Sequence, residues 1–110
     1  MKIIDYTTVG GKNLIEAYIG DLSIKEQLEA LRIRRKINQD GIIALETLNT
    51  RHLRGKLWEI KFSQNRIMYA IKDNENIYFL HACKKQKGKA EKFELETAFK
   101  RAKEFGFKVD

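Results

Sequence analysis

At 110 residues, 43% of them hydrophobic and 10% aromatic, the chain has the length and composition of one ordinary globular domain with a modest core, and disorder is excluded despite 34% charged residues. Its 22 Lys and Arg against 15 Asp and Glu leave a formal charge of +7, which favours a polyanion or an acidic protein as partner over an anionic small substrate. The one cysteine, Cys83, excludes an internal disulfide and suits a reducing cytoplasm, and with two histidines it shows no metal-ligand spacing, so no metal is expected. The absence of a Walker-type glycine loop and of a dinucleotide fingerprint likewise predicts no cofactor. No apolar run approaches the roughly 20 residues of a membrane span, and MKIIDYTTVGG lacks the apolar core of a signal peptide, which predicts a cytoplasmic protein.

In chain order, KIIDYTT (residues 2 to 8) reads as a strand ending at Gly10-Gly11. Helical spacing of Leu14, Ile15, Tyr18, Ile19 and Leu22 follows, with Gly20-Asp21 as the stop. Ser23 and Glu26 form the S-x-x-E pattern of a capping box, which opens a second helix running to Gly41. In that helix Leu28 and Leu31 are expected to be buried and Arg32, Arg34, Arg35 and Lys36 to face water. IIALETL predicts a short third helix, and Asn49-Thr50 lead into the sheet, with His52 in a loop.

Three runs near residues 57 to 62, 66 to 72 and 77 to 83 carry strand chemistry, and the short separators SQN and DNEN make them an antiparallel meander. From Gly88 the period becomes 3.6: Leu95, Ala98, Phe99, Ala102 and Phe105 form an apolar stripe, while Lys92, Glu96, Lys100 and Lys103 face water. With no proline and no linker, residues 1 to 110 are expected to form a single domain. The fold class is α+β: an N-terminal strand plus a three-stranded meander, two or three N-terminal helices and a C-terminal helix.

Hairpin register sets what the charges do. A turn at Ser63-Gln64 pairs 61 with 66 and 59 with 68, a turn at Gln64-Asn65 slips the pairing by two and keeps the same faces, and the DNEN turn pairs 72 with 77, hence 68 with 81 and 66 with 83. Trp58, Ile60, Ile67, Tyr69 and Ile71 then share an inner, core-packing face, while Glu59, Lys61, Arg66 and His81 share the other. Alternating charges on a strand are most often a solvated face. The same set also suits phosphodiester chemistry on RNA: Glu59 or His81 as base, Lys61 and Arg66 as a phosphate clamp, and His81 or a loop lysine as acid. The KKQKGK segment, with Lys84, Lys85, Lys87 and Lys89, is either a mobile loop or a set of RNA phosphate contacts. Cys83 is expected to be a buried small apolar residue rather than a nucleophile.

The run HLRGKLWEIKF, then NRIMYAI, IYFLHACKKQKGK and a helix ending AFKRAKEF, resembles the phage-derived, HigB-like branch of the RelE/ParE toxin superfamily over residues 50 to 105. That resemblance implies a RelE-like fold with a twisted antiparallel sheet whose edge the first strand joins. It implies a type II toxin–antitoxin toxin that cuts mRNA in the ribosomal A site without a metal. A HigA-like helix-turn-helix antitoxin of the XRE type would neutralise it, and operator DNA would be met only through that antitoxin. By position, Lys61 matches a strand lysine of RelE-like toxins, Arg66 the arginine that grips the scissile phosphate, Lys84 and Lys85 the basic exit of the last strand, and Glu59 the acidic position of the HigB-like branch. RelE itself has lysine where Glu59 stands, and its C-terminal tyrosine has no counterpart here; Phe93 or Phe99 can fill its space but exchange no proton. Proton transfer then rests on Glu59, His81 or a lysine, with His52 ranked below His81. ParE-like relatives instead poison DNA gyrase as binding proteins, and an inactive homologue acting through protein binding is the third reading.

Overall fold

The computed structural model describes residues 1–108. Its elements are β1 (Lys2–Asp5), α1 (Leu14–Gly20), α2 (Ile24–Asp40), α3 (Ile42–Thr47), β2 (Thr50–Arg54), β3 (Leu57–Phe62), β4 (Asn65–Ile71), β5 (Asn76–Lys84) and α4 (Lys89–Glu104). The strands form a sheet in the order β1-β5-β4-β3-β2. The α+β class, the meander and the C-terminal helix are as expected. No helix among the described residues is long and apolar enough to cross a membrane.

Two features of the sheet go beyond the expectation. β1 joins the edge beside β5 in parallel, so the sheet is mixed, and Arg34 of α2 fastens that edge by donating to both oxygens of Asp5 at 3.0 and 2.8 Å. Arg34 is therefore turned inward rather than left in water. β2 is a fifth strand, pairing Arg51 with Glu59 and His52 with Trp58. Its sequence TRHLR offers no apolar alternation because an edge strand has little to bury. His52 thus lies on a strand, its ring donating to the Gly55 carbonyl at 2.8 Å and packing edge-on against Trp58.

Alternation along the strands gives the sheet two covered faces. Ile60, Ile67, Tyr69, Ile77 and Phe79 meet Ile15 of α1, Ala30, Ile33 and Ile37 of α2, and Ala44 and Leu45 of α3. On the opposite face Leu57, Met68, Ala70, Leu80 and Cys83 meet Ala98 and Ala102 of α4, whose stripe faces the sheet as its spacing requires. Small alanines let α4 lie close to the strands, and that closeness governs the site described below.

The α2 helix corrects the expected burial. Ser23 caps it as the sequence indicates, accepting from Glu26 N and donating to Glu26 Oε1. The buried residues, however, are Ala30, Ile33 and Ile37, while Leu28 and Leu31 are 57% and 41% exposed. The helix is rotated so that its small and β-branched residues meet the sheet. Trp58, expected beside Tyr69 in the core, is 37% exposed and borders a small apolar groove with Ile42, Leu45 and Ile71, which the six-residue α3 flanks but does not fill.

The register holds for a different reason than turn length alone. Near the DNEN turn Ile71 pairs with Ile77, one residue out of step, and a bulge at Leu80 restores Met68 with His81 and Arg66 with Cys83. A bulge sends two consecutive side chains to the same side. Leu80 and His81 accordingly both point at α4.

Candidate active site beneath the C-terminal helix

Lys61 pairs directly with Arg66, and Glu59 with Met68, so the three charged side chains share the face that α4 covers. That face is not solvated: Glu59 is 0% and Arg66 2% exposed. Burial on this scale requires charges to be paired. Arg66 Nη2 stands 3.3 Å and Arg51 Nη2 3.1 Å from Glu59 Oε1, and Lys61 Nζ stands 3.9 Å from Glu59 Oε2. From α4, Glu91 Oε1 lies 3.5 Å from both Arg51 Nη2 and Arg66 Nη1, bridging the two guanidinium groups. Two buried polar atoms among the described residues have no hydrogen-bond partner, Glu59 Oε2 and Arg66 Nε, and both belong to this network.

His81 sits under the same helix but bonds elsewhere. Its Nε2 is 2.6 Å from Glu94 Oε2 and its Nδ1 3.0 Å from Arg101 Nη1. A guanidinium only donates, so Nδ1 is the acceptor and Nε2 carries the proton that Glu94 receives. Burial, opposed by the Glu94 hydrogen bond, holds the ring below its ordinary pKa and neutral. Both ring nitrogens are occupied, and none of these bonds reaches Glu59, Lys61 or Arg66. Cys83 is buried as expected, and burial and its hydrogen bond to Glu94 push the thiol's pKa up, which keeps it protonated.

The structure brings His81, Cys83 and Glu94 together although the sequence shows no metal-ligand spacing: their ligating atoms lie within 4.8 Å of one another. A metal on His81 Nε2 would move the ring proton to Nδ1, where the Arg101 donor opposes it. Both nitrogens of His81 are thus already taken by Glu94 and Arg101.

Beside the buried network lies an open polar cleft of about 260 Å³, lined by Asn49, Lys61, Ser63, Asn65, Arg66 and Lys85 among others. Its mouth is the β3–β4 turn, where Ser63 takes a left-handed φ of 52° and donates to Glu29 Oε1 at 2.9 Å. Lys85 N donates to the Gln64 carbonyl at 2.7 Å, which ties the basic exit of β5 to the same turn. The four candidate lysines separate here. Lys85 lines the cleft, Lys84 leans on Glu26 at 3.7 Å, Lys87 is exposed in the connecting loop, and Lys89 is exposed in the first turn of α4.

Residues 17–103, well over half of the chain, match the family model described as phage-derived protein Gp49-like (DUF891). The chain belongs to that family. It is a toxin-like family of the RelE/HigB type. No curated protein matches the chain.

The Gp49-like match leaves out β1 and takes in everything from within α1 to the last turn of α4, including the whole ion-pair network. Four members of the two buried clusters escaped sequence reasoning: Arg51, Glu91, Glu94 and Arg101. Arg51 was hidden by the unrecognised edge strand. The other three carry a signal, because Glu91, Glu94 and Arg101 fall at three- and seven-residue spacing along one side of α4, in line with Ala98 of its apolar stripe. Polar residues at such positions either cap the sheet's charges or meet a ligand.

Proposed function

We propose that this Gp49-like protein is the toxin of a type II toxin–antitoxin pair and a ribosome-dependent endoribonuclease that cleaves mRNA through attack of a ribose 2′-hydroxyl on the adjacent phosphate, without a metal, and is neutralised by a HigA-like helix-turn-helix antitoxin. The observation that carries the reading is the Glu91 carboxylate bridging Arg51 and Arg66 at 3.5 Å. Two guanidinium groups holding one partly exposed oxyanion are set up to exchange it for a phosphate, whose oxygens suit their planar forks. Lys61 and Lys85 line the adjoining cleft and extend the positive surface toward the RNA backbone.

In this reading Arg66 and Arg51 stabilise the charge that grows on the phosphate in the transition state. Lys61 or Lys85 gives a proton to the departing 5′-oxygen. Glu59 Oε2, which makes no protein hydrogen bond, takes the 2′-hydroxyl proton once phosphate displaces Glu91 and opens the cover of α4, and Glu59 Oε1 fixes the angle of Arg66. His81 is a positioning residue that ties β5 to α4.

The decisive experiment is cleavage of a defined mRNA on programmed ribosomes at one fixed salt concentration, comparing the wild type with Arg66→Lys and Glu59→Gln. Cuts confined to the A site, with kcat lowered about 100-fold or more in Arg66→Lys, are expected for loss of a transition-state contact. Intact mRNA from a wild-type protein that still arrests growth would reject the nuclease and turn attention to DNA gyrase.

A further inference from the structure

The exposed side of α2 is unusual for a helix in contact with water only. Ile24, Leu28 and Leu31, at helical spacing, are 72%, 57% and 41% exposed and line a run of adjoining grooves along the helix. Such a stripe is what a core-facing helix carries, yet the core is on the other side of α2. Lys25, Arg32, Arg35 and Lys36 flank it beside two carboxylates, Glu29 and Asp40, of which Glu29 accepts from Ser63, and among the described residues none of the four cations forms an ion pair, so the rim is net positive.

We infer that this face is the docking site for an amphipathic helix of a protein partner, one whose apolar stripe is bordered by Asp and Glu. Charge complementarity selects that occupant. A second copy would bring the same four cations, offset by only Glu29 and Asp40, and a net charge of +7 against this rim, with an excess of like charge opposed across the interface. RNA would satisfy the cations but leave Ile24 and Leu28 in water. A helix with leucines at matching spacing and carboxylates on both flanks answers both features at once.

The groove also has a functional end. Ser63 lines both its Ile24–Leu28 section and the polar cleft that holds Lys61, Arg66 and Lys85. A helix lying along α2 therefore reaches the mouth of that cleft. On the function proposed above, the occupant is the neutralising antitoxin, and docking closes the cleft from its Ser63 side; the docking itself does not depend on that function.

The test uses the full chain, labelled with nitrogen-15, and a synthetic helix of about 20 residues with Leu at three- and four-residue spacing flanked by Glu, beside a counterpart flanked by Lys. Shift changes confined to residues 24–36 and Ser63 are expected for the Glu peptide, with Kd raised about tenfold by Leu28→Asp and again by Arg32→Glu with Arg35→Glu. Both sites are on the surface, so folding is retained, and a thermal melt verifies it. Equal binding of the two peptides, or shifts elsewhere on the chain, would overturn the inference. So would a wild-type dimer in sedimentation that Leu28→Asp dissolves, which gives the face to a second copy. An RNA oligonucleotide that shifts the same residues regardless of Leu28→Asp gives the face to RNA and overturns the inference as well. No readout involves ribosomes, so failure of the nuclease assay leaves this result standing, and the reverse also holds.

Discussion

Arg66 and Glu59 meet diagonally across β3 and β4, with Arg66 Nη2 3.3 Å from Glu59 Oε1 and both side chains buried beneath α4. Removing one member of a buried pair leaves the other charged and unpaired, which costs about 3–5 kcal/mol. Arg66→Met and Glu59→Leu are each expected to lower unfolding free energy by that order in urea titrations. Joined with Arg66→Met, Glu59→Leu should be less destabilising than either single change, because no orphaned charge remains. A double variant whose loss equals the sum of the singles would show that the two are not coupled. Activity losses in Arg66→Ala are therefore uninterpretable without Arg66→Lys, which keeps the charge and loses only the fork.

Glu91 makes the second prediction. If its carboxylate holds the place of a phosphate between Arg51 and Arg66, Glu91→Gln removes the competitor and keeps the shape. KM for programmed ribosomes should fall severalfold with kcat nearly unchanged, the mark of altered ground-state binding. Stability should change by about 1 kcal/mol, since Glu91 and Arg51 are both partly exposed and the buried Arg66 keeps its pair with Glu59. An unchanged or raised KM would make Glu91 a structural brace only.

The pH dependence of stability follows from His81. Burial holds its folded-state pKa below the ordinary 6.5, so the unfolded chain binds a proton at a higher pH than the folded one. Between the two values the unfolded state carries more protons, and stability falls as the pH drops below about 6.5, levelling once the folded ring titrates. The carboxylates held low by their hydrogen bonds, Glu26 with Asn65 and Asp73 with the Glu75 amide, act only below their ordinary values of 4.5 and 3.8, outside this window. Urea midpoints measured in half-unit steps down from about pH 7.5 should reveal the slope. His81→Gln, which can still donate to Glu94 and accept from Arg101, should abolish it; a slope that persists would belong to another group.

Strong local signals made much of this molecule legible. The Ser23 N-cap, the β3–β4 alternation and the stripe of α4 each rest on neighbours in sequence, and each formed where expected, although Glu26 Oε1 takes the Ser23 hydroxyl and not the backbone N–H that a full capping box would give it. What escaped depended on partners distant in the chain. Leu28 and Leu31 look like core residues until the Arg34–Asp5 pair and the small Ala30 fix the rotation of α2. β2 has no pattern of its own and exists because β3 offers an edge. Glu59 and Arg66 were recognisable as charges sharing a face, but whether that face was wet depended on α4, whose alanines bring it close enough to seal them. The bulge at Leu80 was unreadable, and it offsets the one-residue shift at the DNEN turn, so that His81 still reaches the face expected of it.

The basic residues at the exit of β5 give the last prediction, which separates steering from chemistry. Lys87 and Lys89 are exposed and reach no carboxylate within the described ion pairs, whereas Lys85 lines the cleft. Phosphate contacts release counterions, so each lost contact should lower the slope of log K against log salt by about 0.7 to 0.9. Lys87→Gln and Lys89→Gln should reduce that slope and weaken binding to programmed ribosomes while leaving kcat at saturation intact. Lys85→Gln should reduce the slope as well and also lower kcat, because Lys85 lines the same cleft as Arg66. Lys84 answers to Glu26 at 3.7 Å and should contribute less to the slope than Lys85. If all four substitutions changed slope and kcat alike, the cleft would have no special standing within the basic surface, and the site would have to be sought elsewhere on it.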